Sequence, residues 1–132
     1  MGRKILVDTS ALYEIFNKTG YYHESAMNIL NNMSRYKMIP ILTNFIVAEI
    51  YTLILVRVGA DKARSWIKNN VWHIERITEE DEKRAINILL SCTDKTFSYT
   101  DATSFALMER LNIDTAFTFD KHFIQYGFKQ LQ

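Results

Sequence analysis

The sequence predicts an α/β fold, a single-domain αβα sandwich over residues 1–132 with a mainly parallel central sheet. Three observations point there. The apolar run Ile5-Leu6-Val7 leads straight into Asp8 and a Thr9-Ser10 helix-start signal, the pattern of a strand buried on both faces. The segment Thr115-Ala116-Phe117-Thr118-Phe119-Asp120 repeats that logic. Between these runs, short apolar stretches alternate with segments of helical period, which implies crossover connections and a sheet covered on both faces. In such a sheet the strand C-termini and the following helix N-termini share one edge, where open α/β sheets keep their ligand crevice.

Taken in order, Ile5–Val7 is the first strand. Ser10 to Asn17 carries Leu12, Ile15 and Phe16 at helical spacing, with Thr9 or Ser10 as its cap. Thr19-Gly20 breaks it, and Glu24–Met33 forms a second helix with Ala26, Ile29, Leu30 and Met33 on one side. Met38–Leu42 is a short strand whose Pro40 argues for an edge or irregular position. Thr43-Asn44 caps a nearly all-apolar helix, Phe45 to about Val58, that Gly59 ends and that should be deeply packed. Ala60–Asn70 is a helix with the basic flank Lys62, Arg64 and Lys68. Val71–Ile77 is a strand of imperfect alternation. Thr78-Glu79-Glu80-Asp81 is a capping box for a helix that runs to Cys92, and the acids through Glu82 read as cap charge and solvated surface. Ser98 to Asp101 opens the next helix, which Asn112 ends. The strand Thr115–Phe119, a turn over Lys121–Tyr126 and a last strand near Phe128–Leu131 complete the chain.

The bulk composition narrows the function classes. One cysteine, Cys92, excludes an internal disulfide and fits a reducing cytoplasm. His23, His73 and His122 form no zinc spacing with it. A net charge of +1 gives no bulk signal for nucleic acid, although a local basic rim can coexist with an acidic pocket. The opening residues do not read as a signal peptide, and the apolar stretch Phe45–Val58 contains Glu49 and Arg57 and is too short to span a bilayer. A cytoplasmic protein without membrane attachment is expected.

Four acids stand out by position. Asp8 and Asp120 end strands, Asp101 opens a helix, and Glu49 lies on a helical face whose neighbours Phe45, Ile46, Thr52 and Leu53 would desolvate it. Each has a local reading. Asp8 and Asp101 taken alone read as helix caps, Asp120 as a turn initiator, and Glu49 as half of a buried salt bridge. Together they fall toward one predicted sheet edge. Two bare carboxylates at ~4 Å repel by on the order of 4 kcal/mol at an effective dielectric of 20, so such a cluster calls for a hard cation or for protonation. Oxygen donors without Cys or His select Mg²⁺ or Mn²⁺, whose usual work is phosphoryl chemistry.

The four segments Ile5-Leu6-Val7-Asp8-Thr9-Ser10-Ala11-Leu12, Val47-Ala48-Glu49-Ile50, Tyr99-Thr100-Asp101-Ala102 and Thr118-Phe119-Asp120-Lys121-His122-Phe123 closely resemble the PIN-domain family of metal-dependent ribonucleases, in particular its VapC-type toxins. The resemblance covers nearly the whole chain. It implies Asp8, Asp101 and Asp120 as catalytic residues and metal ligands, Glu49 completing the site, and Ser10 or Thr118 bonding a carboxylate or the attacking water. It further implies RNA cleavage to a 5′-phosphate and a 3′-hydroxyl, a homodimer, and an antitoxin partner that silences the site. His122 stands where many members carry a further acid. Lys121, next to Asp120, is the preferred phosphate contact, ahead of Arg57, Lys62, Arg64 and Lys68. Tyr13, Phe16, Tyr21 and Tyr22 read as packing or surface before they read as base-stacking residues.

Three other classes fit less well, and one fits the same residues equally. A non-cleaving PIN-fold RNA- or protein-binding module has no reason to keep all four acids. A housekeeping RNA-processing nuclease would carry the same residues as a toxin. A phosphatase of the haloacid dehalogenase type needs Asp-x-Asp at the first strand, where Asp8-Thr9-Ser10 stands. A receiver domain needs an acidic pair before the first helix and a Lys ending a late strand.

Overall fold

The computed structural model describes residues 2–131. The chain runs β1 (Arg3–Val7), α1 (Thr9–Phe16), α2 (His23–Asn32), β2 (Met38–Thr43), α3 (Asn44–Arg57), α4 (Ala60–Asn69), β3 (His73–Glu75), α5 (Glu79–Ser91), α6 (Tyr99–Leu111), β4 (Thr115–Phe117), α7 (His122–Tyr126) and β5 (Lys129–Gln130). The strands form one five-stranded sheet in the order β3-β2-β1-β4-β5, and every pairing is parallel. Parallel neighbours need crossovers, and right-handed crossovers put α1–α4 on one face and α5–α6 on the other. Accordingly α1 packs on α2 and α3, α3 on α4, and α5 on α6. Ile5, Leu6 and Val7 have no exposed surface, as expected for a strand covered on both faces.

The strand order reverses at β1, which has β2 on one side and β4 on the other. That is the switch point where a crevice opens outside the strand C-termini. The β1–β4 register pairs Val7 with Phe117, and the Asp8 N–H donates to the Phe117 carbonyl at 3.0 Å. Asp8 and Thr118 therefore leave the sheet side by side.

Several sequence expectations need correction, among them two strand lengths, since β3 is only His73–Glu75 and β4 ends at Phe117. β2 is an interior strand, yet Pro40 lies in its first half, where only β1 pairs with it; β3 joins at Ile41. The missing N–H of Pro40 thus falls where a second neighbour is absent. The segment after Asp120 is a one-turn helix, α7, and not a plain turn. Neither Thr9 nor Ser10 caps α1: the cap position is Asp8, and no side chain bonds there. Finally, α3 is not deeply packed all round. Its Ile46, Ile50 and Ile54 stripe is buried, while Ala48, Glu49, Thr52, Leu55 and Val56 face outward. A helix apolar on every side gives its periodicity no power to choose the inner face.

Candidate active site

The site grows from the ends of β1 and β4. Asp8 occupies the N-cap position of α1, but its carboxylate caps no helix N–H. Oδ2 accepts from the Ser10 hydroxyl at 2.9 Å and from the Thr118 hydroxyl at 3.0 Å. Ser10 Oγ in turn accepts from the Phe119 N–H at 2.9 Å, and Thr118 Oγ1 from the Asp120 N–H at 2.9 Å. These bonds tie the strand end at Asp8 to the loop after β4. The capping reading of Asp8 therefore fails, because Oδ2 is bonded to two hydroxyls and the side chain accepts from no helix N–H.

Asp101 and Asp120 each hold a local role and a place in the cluster. Asp101 is the third residue of α6 and completes a capping box with Ser98: the Ser98 N–H donates to Asp101 Oδ2 and the Asp101 N–H to Ser98 Oγ, both at 3.0 Å. Asp120 Oδ1 accepts from the His122 N–H at 3.0 Å, which starts α7. His122 then sets its ring between the two carboxylates. Nδ1 lies 2.8 Å from Asp101 Oδ2 and 3.2 Å from Asp120 Oδ1. Among the described residues, Asp101, Asp120 and His122 form a group with ligand atoms within 4.8 Å of one another. Sequence reasoning treated His122 as a missing acid. The Asp120 turn that accepts the His122 N–H starts α7 with His122 beside Asp120, and no pattern in the sequence marks this.

Electrostatics mark the same place. Asp8 is 4% exposed, and its carboxyl is pushed up to about 6. Burial is the largest cause; the Ser10 bond pulls it back, Asp101's charge pushes it up, Thr118 pulls it back, and Asp120's charge adds to the rise. Asp8 thus feels both other aspartates.

Glu49 is not where the sequence put it. It is exposed on α3, in a shallow groove of about 630 Å³ that it lines with Phe45, Thr52, Arg57 and Thr100. Neither desolvated nor in need of a buried partner, it shares that groove with Thr100, the neighbour of Asp101. Lys121 is exposed between Asp120 and His122. Of the remaining basic candidates, Arg64 pairs with Asp61 at 2.8 Å and Arg57 lies over the Tyr13 ring at 5.2 Å. Tyr22 stacks on Phe119 at 4.6 Å. No helix among the described residues is long and apolar enough to cross a membrane.

Comparison with known proteins agrees with this fold. The chain is 30% identical over 131 residues to the 23S rRNA-specific endonuclease VapC20 of Mycobacterium tuberculosis, spanning 97% of this chain and 98% of that one. The crystal structure of M. tuberculosis VapC20, described as a Sarcin-Ricin loop cleaving toxin, superposes with a TM-score of 0.84 at 28% identity, covering 94% of this chain and 95% of that one. A toxin–antitoxin complex from Klebsiella pneumoniae shares the fold, with a TM-score of 0.70 at 13% identity over 97% of this chain and 96% of that one. The PIN domain model matches residues 5–129. Strand ends, acidic crevice and these likenesses agree: the chain belongs to the PIN-domain family.

Proposed function

We propose that this chain is a metal-dependent endoribonuclease that hydrolyses RNA phosphodiester bonds and acts as the toxin of a type II toxin–antitoxin pair. One observation carries the reading: Asp101, Asp120 and His122 bring ligand atoms within 4.8 Å of one another, and Asp8 lies under the charge of both aspartates. The donor set fits a divalent cation of the Mg²⁺ or Mn²⁺ class, because hard carboxylate oxygens crowd a site with no fixed Lys or Arg partner among the described residues. Asp8, Asp101 and Asp120 would hold the ion, with Glu49 serving the site from the groove. A bound ion of this class polarises phosphate and lowers the pKa of a water.

The chain's own residues supply the rest. The Ser10 and Thr118 hydroxyls hold Asp8 Oδ2 in one orientation. The capping box holds Asp101 at the head of α6, whose N-terminal dipole favours negative charge. Lys121 places a positive charge beside Asp120, where a phosphate backbone would pass. The same reading makes residues 1–132 one catalytic unit, cytoplasmic, homodimeric and silenced by an antitoxin protein. A structured ribosomal RNA loop is the first substrate class to try, since the mycobacterial relative is named for cleaving one.

The test is cleavage of a structured RNA pool that includes ribosomal RNA, in Mg²⁺, in Mn²⁺ and in EDTA, with Asp8→Asn in parallel. Cleavage that needs both the ion and Asp8 is expected. A folded, antitoxin-free protein that binds RNA and leaves it uncut in either metal contradicts the reading.

A further inference from the structure

His122 is the member of the cluster that no acidic pattern selects. Its position is held from three sides. Its N–H is bonded to Asp120 Oδ1. Its ring meets the Phe97 ring edge-on at 5.5 Å, and Phe97 meets the buried Phe105 at 5.1 Å. The next residue, Phe123, is fully buried and anchors α7. The ring is thus seated with Nδ1 between two carboxylate oxygens, at 2.8 Å from Asp101 and 3.2 Å from Asp120.

An imidazole nitrogen in that place has two ways to be satisfied. It donates its proton to a carboxylate, or, without that proton, it shares a cation with both. The separations admit both: 2.8 Å is an ordinary N–H···O length, and it is also a donor–donor spacing around an ion. Neighbouring donors around a six-coordinate ion with bonds of about 2.0–2.1 Å lie about 2.8–3.0 Å apart. Mg²⁺ keeps to oxygen donors, whereas first-row transition ions take imidazole nitrogen as well, and Mn²⁺ is the one that suits a site otherwise made of carboxylates.

We propose that His122 is a direct nitrogen ligand of the ion held by Asp101 and Asp120, and that this donor tilts the site from Mg²⁺ toward Mn²⁺. The proposal rests on the metal-dependent reading above and is tested without RNA, so the two fail separately. The probe is Mn²⁺ alone, added to metal-stripped protein and followed by pulsed electron paramagnetic resonance, which detects ¹⁴N coupling from a directly bound imidazole. Competition with Mg²⁺ measures the preference. Wild-type protein should show the coupling and bind Mn²⁺ more tightly than Mg²⁺. His122→Ala should weaken Mn²⁺ binding at least 10- to 100-fold, the range reached even by loss of a group behind a metal ligand. His122→Asp, an all-oxygen site, should bind Mn²⁺ without the coupling and with a smaller preference over Mg²⁺. Circular dichroism confirms that each variant is folded. Bound Mn²⁺ without ¹⁴N coupling in the wild type, coupling that survives in His122→Asp, or no Mn²⁺ binding at all overturns the proposal. A wild-type protein that shows the coupling and cuts no RNA leaves His122 as a ligand and removes the nuclease reading instead.

Discussion

At the head of α5, Asp81 closes a capping box with Thr78, and at the head of α6, Asp101 closes one with Ser98. The four bonds of the two boxes are all 3.0 Å long. Both aspartates are buried, 3% and 6% exposed. Beyond that they part. Asp81 receives two bonds from the Arg110 guanidinium, each 2.9 Å. Burial works to raise its pKa, and the Arg110 bonds and charge with the Thr78 bonds hold it below the ordinary carboxylate range. Asp101 has no guanidinium. It faces His122 and lies near two more aspartates. One local motif therefore serves two ends. A buried carboxylate matched by a fixed cation belongs to the fold, and one set among other carboxylates is, on the proposed reading, the place for a removable cation.

The largest expected effect breaks the structural member of the pair. Arg110→Ala leaves Asp81 buried without its cation and should cost about 2–4 kcal/mol, discounted from the range for fully buried pairs because Arg110 is partly exposed. Urea unfolding reads this directly, and a loss under 1 kcal/mol would mean that Asp81 is solvated in solution.

The next effect has the opposite sign. The folded-state pKa of Asp8, about 6, lies above the ordinary 3.8. Without metal, the protonated carboxyl therefore contributes stability that is full below pH 3.8 and is lost as pH rises through about 6. The total is on the order of 2–3 kcal/mol. Asp8→Asn stays neutral throughout, so it should exceed the metal-free wild type in stability above pH 6 and match it near pH 4. A stability difference independent of pH would show that Asp8 is not desolvated as described.

The smallest effect concerns the caps alone. Thr78→Ala and Ser98→Ala each remove one hydroxyl acceptor and should cost about 1 kcal/mol. If the boxes are equivalent, the two losses agree within error in thermal melts. A much larger loss for Ser98→Ala would mean that its box also restrains the crowded carboxylates.

Much of the site was legible because strand ends write themselves plainly. Apolar runs toward Asp8 and Asp120 locate β1 and β4 and their shared edge, although β4 ends at Phe117 and Asp120 lies in the loop beyond it. The Thr78 and Ser98 boxes were legible as local patterns, but their different fates were not, since Arg110 lies 29 residues from Asp81 and meets it only through the packing of α5 on α6. The acidic run therefore read as solvated surface, while Asp81 is in fact buried. Glu49 was misplaced because α3 is apolar on nearly every side. His122 offers the sequence only its residue type, and α7 is too short for any periodicity to announce that its first side chain turns inward. Asn112, by contrast, was read correctly as a helix end: it takes the left-handed conformation at φ 56° that Asn tolerates.

The most direct measurement is a Mn²⁺ titration of metal-stripped protein followed by its melting temperature, for wild type, Asp101→Asn and Asp81→Asn. An ion that binds only the folded state stabilises it by RT ln(1 + [L]/Kd). The wild type and Asp81→Asn should therefore climb with Mn²⁺, from different starting points, while Asp101→Asn stays flat. An Asp101→Asn protein that climbs as steeply as the wild type would contradict the assignment of the two aspartates.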